Sequence, residues 1–434
     1  MNKRFWKDIV LRLVSIGLVL SACHPRPLKV VPSLTPLPTM PLPTVTSIPS
    51  PTQRLPTATI IPLTTQTPDV KSKIRWTFQT KGAIWGTATI LDGVIYFGSD
   101  DRNLYALEAQ TGELKWKFTT QGLVRSCPAI AGGSVYFTSD DGYLYAVDVQ
   151  NGKQTWRVDI GNAYNLEERE HLGNSPNPLG FDYLQSSPTV VDGQVYAGSV
   201  DGNVYALAAD TGKINWTFKT GAKVRATPTV VNEVVYIGSW DKSVYALDAS
   251  NGQLRWATPI GGQVQTTALV TGGLVYTASR KASVVVLNTD TGEIKWEFSY
   301  GNNMWVESSP ILMNGVIYIG SSGNKILYGL DSLSGELVTA FFPEAFCWSR
   351  PAIVGETLYI GCTNYHSTVN GLFAITITHT ETGNKLRLSE KWRLPIVETL
   401  EPSGDWSGVA SSPVSQNGTI YFGGLDGKLY AVSD

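Results

Sequence analysis

Histidine, methionine and cysteine are scarce in this chain, with four residues of each type among 434. His171, His366 and His379 show no metal-ligand spacing, so the sequence predicts no metal site. No Gly-x-Ser-x-Gly elbow is present, and the glycines do not precede helices that could bind phosphate. Basic residues are not in excess either, since 34 Lys and Arg stand against 36 Asp and Glu, which argues against a nucleic-acid partner. These absences favour a binding protein, but they do not exclude an enzyme.

The abundant residues indicate an all-β chain. There are 42 glycines, 19 tyrosines and 13 tryptophans, a composition typical of many short strands joined by tight turns.

The first 22 residues resemble an export signal, with basic residues before the apolar run from Leu13 to Leu20. That run is too short to span a bilayer. The sequence Leu20-Ser21-Ala22-Cys23 resembles a bacterial lipobox, which predicts a lipidated Cys23 and a membrane anchor. An ordinary secretory signal with an incidental cysteine is the alternative. In either case we expect an exported protein; with the lipid, it would lie on the cell membrane or outer membrane, facing the periplasm or the exterior.

Residues 23–73 are predicted to be a disordered tether. Between His24 and Pro68 the chain is dominated by Pro, Thr, Ser, Leu and Val, and half of its 24 prolines lie there. An extended Pro-rich segment of this length could hold a domain up to roughly 100 Å from a membrane.

Three further cysteines follow the tether. Cys347 and Cys362 lie on neighbouring strands of a predicted hairpin, so a disulfide between them is one interpretation. The sequence does not decide whether it forms. Cys127 is expected to be a buried thiol.

Tryptophan recurs every 40 residues in two runs that are separated by a gap of 60 residues. The six positions are Trp76, Trp116, Trp156, Trp216, Trp256 and Trp296. Such a period indicates a repeat architecture. Each unit is predicted to contain four short antiparallel strands, which make one blade of a β-propeller.

A tyrosine in the second strand marks each unit, at Tyr96, Tyr136, Tyr196, Tyr236, Tyr276, Tyr318, Tyr359 and Tyr421. The sequence therefore predicts an all-β, eight-bladed β-propeller over residues 74–434. The last unit lacks its Trp strand, whereas Ile74 to Phe78 form a Trp strand without a unit. We expect this N-terminal strand to complete the last blade and leave no open edge in the ring.

Glycine and tryptophan in the repeat have a structural explanation. Glycine after Thr or Asn, as in Thr211-Gly212, supplies the positive φ of a tight turn. Trp216, four residues later, is expected to lie against the next blade and to donate its indole N–H to a backbone carbonyl.

The stretch from Tyr205 to Trp216, YALAADTGKINW, resembles the Trp-docking repeat of the pyrroloquinoline quinone (PQQ) propeller family. Tyr105 to Trp116, Tyr145 to Trp156 and Tyr245 to Trp256 match nearly as well, and the resemblance extends over residues 74–434. It implies one of two branches. One comprises PQQ-dependent dehydrogenases, and the other comprises lipoproteins without a cofactor, such as the BamB lipoproteins of the outer-membrane β-barrel assembly machinery.

Several features are closer to the lipoprotein branch. The alcohol-oxidising dehydrogenases are longer and carry adjacent disulfide-bonded cysteines, which this chain lacks, and no Ca²⁺ ligand set can be assigned. We therefore expect no cofactor and keep PQQ binding as an alternative. The long tether departs from the assembly factor's pattern, which puts a role in β-barrel assembly in doubt.

One mouth of the central channel is expected to be ringed by the residues three positions before the proline-equivalent site of each unit. They are Trp85, Arg125, Gln185, Arg225, Gln265, Glu307, Trp348 and Ala410. Arg side chains pair with carboxylates and Trp rings offer stacking faces, so this funnel could bind a planar acid, a sugar or a peptide. A solvated funnel closed by Arg–Glu and Arg–Gln contacts is the structural alternative.

The same face should carry a second set of residues that is predicted to contact a partner. These are Trp240, Lys242, Arg280, Lys281, Trp305, Trp406 and the insertion Asn162 to Leu184 with His171. We expect a monomeric, membrane-anchored scaffold that binds an envelope protein or peptide through this face. A quinoprotein dehydrogenase or its descendant, and an extracellular sensor or carbohydrate-binding module, are the alternatives.

Overall fold

The computed structural model describes residues 70–161, 185–281, 283–299, 308–365, 367–379, 386–400 and 406–434. Within these residues 33 strands form eight antiparallel sheets. The predicted all-β propeller of eight blades is thereby confirmed.

Blade one comprises β2 (Thr89–Leu91), β3 (Val94–Gly98), β4 (Asn103–Glu108) and β5 (Leu114–Thr119), and blade two comprises β6 (Ala129–Ala131), β7 (Ser134–Thr138), β8 (Tyr143–Asp148) and β9 (Gln154–Asp159). Blade three comprises β10 (Thr189–Val191), β11 (Gln194–Gly198), β12 (Asn203–Ala208) and β13 (Ile214–Lys219). Blade four comprises β14 (Thr229–Val231), β15 (Val234–Gly238), β16 (Ser243–Asp248) and β17 (Leu254–Pro259).

Blade five comprises β18 (Leu269–Thr271), β19 (Leu274–Ser279), β20 (Ser283–Asn288) and β21 (Ile294–Ser299), and blade six comprises β22 (Ile311–Met313), β23 (Val316–Ser321), β24 (Ile326–Asp331) and β25 (Leu337–Phe341). Blade seven comprises β26 (Ala352–Val354), β27 (Thr357–Tyr365), β28 (Gly371–His379), β29 (Leu386–Leu394) and the added β30 (Trp406–Gly408). Blade eight comprises β31 (Val414–Gln416), β32 (Thr419–Gly423), β33 (Lys428–Ser433) and β1 (Ile74–Gln79).

The ring is closed by β1, which pairs with β33 and completes blade eight as predicted. Its Trp76 indole N–H donates to the Ala109 carbonyl of blade one at 3.1 Å. The Tyr421 hydroxyl of β32 donates to the same carbonyl at 3.0 Å. Residues from both ends of the propeller thus converge on one acceptor in the first blade.

Predicted docking of the repeated tryptophans is also confirmed. The Trp216 indole N–H donates to Ala249 O of the next blade at 2.9 Å, and Tyr196 donates to the same oxygen at 3.1 Å. Equivalent indole bonds are made by Trp76, Trp116, Trp156, Trp256 and Trp296. A buried indole whose N–H is satisfied contributes both apolar area and a hydrogen bond to each junction.

Blade seven departs from the predicted four strands. Strands β27, β28 and β29 are nine residues long, and β27 continues past its ladder with β28. Its last three residues, Thr363–Tyr365, pair instead with β30. This extra strand brings Trp406 beside Tyr365.

A four-residue 3₁₀ helix, Val70–Lys73, precedes β1. Val70 is buried in a cluster with Trp392 of blade seven, and the Lys73 ammonium lies 5.1 Å from the Trp392 ring centroid. Packing of the propeller therefore extends to Val70. None of the helical segments that the structure describes is long and apolar enough to cross a membrane.

Two glycines with the same backbone conformation should respond differently to alanine. Gly212 has φ 71°, and a Cβ there would lie 2.8 Å from the Trp156 ring, whereas Gly193 has φ 74° and nothing within 4 Å of its Cβ position. Left-handed strain alone should cost Gly193→Ala about 1 kcal/mol of unfolding free energy. Gly212→Ala should cost about 1–3 kcal/mol more, because the docked indole must move. Urea unfolding of both full-length variants tests this, and equal losses would contradict it.

Candidate functional site

One face of the propeller, here called the loop face, is built from two kinds of connection in each blade. One enters the first strand and the other joins the second and third strands. They are tied together by backbone hydrogen bonds of 2.9 Å, such as Asp100 N–H to Ala83 O in blade one and Trp240 N–H to Lys223 O in blade four. The described members of both predicted residue sets belong to these connections.

Arg125 does not present its guanidinium to solvent in the funnel. Its Nε and a terminal nitrogen donate to the two Asp100 oxygens of the preceding blade at 2.7 and 2.6 Å. Only 2% of the Arg125 side chain and 5% of the Asp100 side chain are exposed. The guanidinium also lies 5.1 Å from the Trp85 ring centroid. This buried bidentate pair joins blades one and two.

Gln185 repeats this arrangement one blade further on. Its amide nitrogen donates to an Asp140 carboxylate oxygen of the preceding blade, and its amide oxygen accepts the Arg125 backbone N–H at 3.2 Å. The side-chain contacts that close this part of the funnel are thus Arg–Asp and Gln–Asp, and one Arg–Gln contact of the structural alternative is present between the Arg125 backbone N–H and Gln185.

Asp100 and Asp140, which make these contacts, were not among the predicted site residues. Each aspartate directly follows a serine in the connection between the second and third strands. The residue type at this position differs from blade to blade. That position is occupied by Asp100, Asp140, Val200, Trp240 and Arg280 in blades one to five. A serine precedes this position in all five blades and recurs with the repeat, so it is the sequence signal that marks these variable residues.

Blades four and five carry a cationic and aromatic group at that position. The Arg280 guanidinium lies 4.9 Å from the Trp240 ring centroid, and the Lys223 ammonium lies 5.6 Å from it. Arg280 is buried. Trp240 and Arg280, predicted to belong to one face, are therefore in direct contact.

Five aromatic residues from blades one, seven and eight form what we call the aromatic cluster, and they are Trp85, Phe346, Trp348, Tyr365 and Trp406. Trp85 and Trp348 are stacked, with centroids 6.4 Å apart and 21° between their planes. Trp406 lies 5.0 Å from Trp348 and 5.6 Å from Tyr365. The predicted funnel and partner sets thus merge here, because Trp406 packs against Trp348.

A disulfide between Cys347 and Cys362 fixes the segment that carries two members of the aromatic cluster. It joins the connection entering blade seven to β27, and Phe346 exchanges two backbone hydrogen bonds of 2.9 Å with Thr363 beside it. The pairing that the sequence left undecided is present. Cys127 is a free thiol, but it is half-buried and not buried as expected, and its Sγ accepts the Thr87 N–H.

Tyrosine–aspartate pairs brace the same connections. Tyr205 and Tyr245 donate at 2.6 Å to Asp201 and Asp241, four residues earlier. Burial and then the hydrogen bond to the carboxylate raise the pKa of each tyrosine to about 12. Burial alone would raise the pKa of Asp201, but hydrogen bonds from Tyr205 and Asn203 outweigh it and hold that pKa below its usual range.

Some of the predicted residues lie outside the described part of the chain. These are Cys23, His171 with the insertion 162–184, Trp305 and Glu307. Their roles stay predictions.

The funnel residues do not fit PQQ well. Trp85, Arg125, Gln185, Arg225 and Gln265 are between 2% and 6% exposed, so of the two predicted funnel tryptophans only the half-buried Trp348 offers ring surface to a tricyclic quinone. Asp100 already binds the edge of the Arg125 guanidinium formed by Nε and one terminal nitrogen, so that edge is closed to a cofactor carboxylate. Over the described ranges, no group of three or more His, Cys, Asp or Glu side chains could hold a metal ion.

Comparison with known proteins identifies a family model described as "Outer membrane protein assembly factor BamB", which matches residues 69–172, 165–259 and 201–433. Among solved structures, BamB from Moraxella catarrhalis aligns with a TM-score of 0.56 and 20% identity, covering 66% of this chain and 85% of that one. No curated protein matches the chain in sequence.

Two other structures share the fold. The computationally designed protein Ika8 aligns with a TM-score of 0.61 and 13% identity, covering 82% of this chain and 98% of that one. Quinohemoprotein alcohol dehydrogenase from Comamonas testosteroni aligns with a TM-score of 0.60 and 14% identity, covering 85% of this chain and 78% of that one. At such identities the likeness shows the fold alone.

Proposed function

Since the chain belongs to the family described as outer membrane protein assembly factor BamB, we propose that it is a protein-binding scaffold of the cell envelope. It binds another envelope protein or peptide through the loop face, at the aromatic cluster. A lipid on Cys23 holds it on a membrane, and the propeller faces the periplasm or the cell exterior.

The aromatic cluster is the observation that carries this proposal. Protein interfaces are enriched in Trp and Tyr, and a few such residues supply most of the binding energy. Trp348 and Phe346 are half-buried and Tyr365 is 48% exposed, so the cluster presents part of its ring surface at the loop face. Trp85 and Trp406 are buried beneath them and give this surface a rigid base.

An envelope location is supported by two independent features. Disulfides persist in oxidising compartments, and the Cys347–Cys362 bond is one. The resemblance of residues 1–23 to a lipoprotein signal, followed by a Pro-rich tether, suits a domain held away from a membrane surface.

The test uses the full-length protein in the envelope of cells that produce it. A photoreactive amino acid at Tyr365 should yield a discrete adduct with one partner. Adding Trp348→Ala should weaken binding by about 30-fold, the loss typical of an aromatic hot spot, and should remove most of the adduct while circular dichroism stays unchanged.

Leu333 provides the control position. It is 77% exposed and lies in the turn after β24, on the face opposite the loop face. The same photoreactive residue there should not give the adduct. An adduct from both positions, or one that survives Trp348→Ala, would remove the aromatic cluster from the proposal. Saturable binding of PQQ with a raised unfolding midpoint would instead support the quinoprotein alternative.

A further inference from the structure

A cavity of about 530 Å³ opens at the junction of blades six and seven, beside the aromatic cluster but distinct from its stacked rings. Its lining residues are Asn324, Lys325, Phe342, Glu344, Asn364, Tyr365, Ser367 and Val369. Its volume lies within the range typical of small-molecule sites.

Blade six lacks the docked tryptophan of the regular blades. Thr339 pairs with Gly329 in the register at which Trp216 pairs with Ala206, so a threonine stands at the docking position of blade six. The junction keeps a regular aromatic contact, because Phe341 of β25 meets Phe373 of β28 edge to face as Phe218 meets Tyr245 between blades three and four. The cavity itself is lined by the connections that flank these strands.

Aromatic and polar groups share the lining. Phe342 is 50% exposed and Tyr365 is 48% exposed, which leaves ring surface in contact with solvent. The Asn364 amide is held in place by donating to Glu344 O at 3.1 Å and Val369 O at 2.9 Å. The wall is therefore preorganised, since its amide is fixed by backbone acceptors on both sides.

Glu344 shows a feature that packing alone does not require. It has φ 59° and stands five residues after the docking position of its blade. The equivalent residues after Trp156 and Trp256 are Gly161 and Gly261, with φ 63° and 80°, whereas Lys81 and Gln121, after Trp76 and Trp116, do not have positive φ. A side chain at such a position strains the backbone by about 1–3 kcal/mol, and strain of this kind concentrates at functional sites. The carboxylate at the cavity wall is what the glutamate adds over glycine.

We propose that this cavity binds a neutral carbohydrate, a β-1,4-linked hexopyranose chain. The flat C–H faces of such sugars stack on Phe and Tyr rings, while their hydroxyls both donate and accept hydrogen bonds. Glu344 supplies an acceptor, Lys325 supplies donors, and their charges cancel, which favours a neutral polar ligand over an ion. This site adjoins the protein-binding surface of the proposed function: it shares Tyr365 with the aromatic cluster, and the Lys325 ammonium lies 4.4 Å from the Phe346 ring centroid.

The experiment is calorimetric titration of the full-length protein with cellohexaose and with chitohexaose. We expect saturable binding of at least one of them. Phe342→Ala removes a stacking wall and should weaken that binding at least tenfold. Leu333→Ala removes an exposed apolar side chain on the opposite face and should leave it unchanged. No heat from either sugar, or equal affinity for wild type and Phe342→Ala, would overturn the assignment.

Substitutions of Glu344 separate binding from stability. Glu344→Gly relieves the strained backbone, so it should raise the thermal midpoint while weakening sugar binding at least fivefold. Glu344→Gln keeps the backbone and should weaken binding without raising the midpoint. If both variants bind as wild type does, or if a mixed-sequence octapeptide binds in a Phe342-dependent manner and neither sugar does, the carbohydrate class is wrong.

Discussion

Replacing Asp100 by alanine should lower the free energy of unfolding by about 3–5 kcal/mol, because the Arg125 charge would lose its carboxylate in a buried site. The two side chains are 2% and 5% exposed and share two hydrogen bonds of 2.7 and 2.6 Å. Removing the carboxylate leaves an unpaired guanidinium charge that water does not reach. The loss in the free energy of unfolding is therefore larger than the net contribution of the ion pair to stability. Guanidinium chloride unfolding of the full-length variant measures it.

A double variant distinguishes an uncompensated charge from a lost contact. Asp100→Leu combined with Arg125→Met replaces the pair by apolar groups and should recover most of the lost stability, since buried pairs often exchange for apolar residues without loss. Glu293→Ala is the control for an exposed ion pair. Glu293 and Lys295 lie 2.8 Å apart, and their side chains are 67% and 41% exposed, respectively. That variant should cost less than about 1 kcal/mol. If the double variant is as unstable as Asp100→Ala, the loss does not come from the uncompensated charge.

Removing the Cys347–Cys362 disulfide by substituting both cysteines with serine should lower the free energy of unfolding by about 3 kcal/mol. The bond closes a loop with a sequence separation of 15, and restricting a loop of that length in the unfolded chain is worth about 3 kcal/mol. Trp348 follows Cys347 directly, so tryptophan fluorescence should change with the loss of stability.

A reductant provides the matched control for this prediction. Reduced wild type should fall to the stability of the double serine variant, and the variant itself should be insensitive to the reductant. Cys127→Ser, which leaves the bond intact, should keep the full response to reduction. Wild type that loses nothing on reduction would contradict the expected contribution of the bond.

The sequence predicts those parts of the propeller that the repeat imposes on each unit separately. A fixed Trp spacing, glycines at positive φ and a missing last strand each reflect local requirements, and the structure confirms the docked indoles and the closing pair of β1 and β33. Register and blade number follow because every unit meets the same neighbour in the same way.

The candidate site depends on positions where the units differ, and there the sequence is less informative. Asp100 contacts Arg125 across a blade boundary, and nothing within either unit indicates this. Phe346 and Tyr365 join the aromatic cluster because blade seven has longer strands and β30, features outside the repeat pattern. Side-chain partners set by irregular insertions require the fold itself.

Closure by β1 also affects the order of folding. The Thr80 hydroxyl donates to Gly427 O across a sequence separation of 347 residues, so contacts at this seam are among the least local in the propeller. During synthesis the strand that completes blade eight emerges first and its partner emerges last. Contacts this distant form slowly and leave strand edges exposed in the meantime. Until β33 arrives, β1 is a strand without its sheet, and its free edge is open to pairing with other chains.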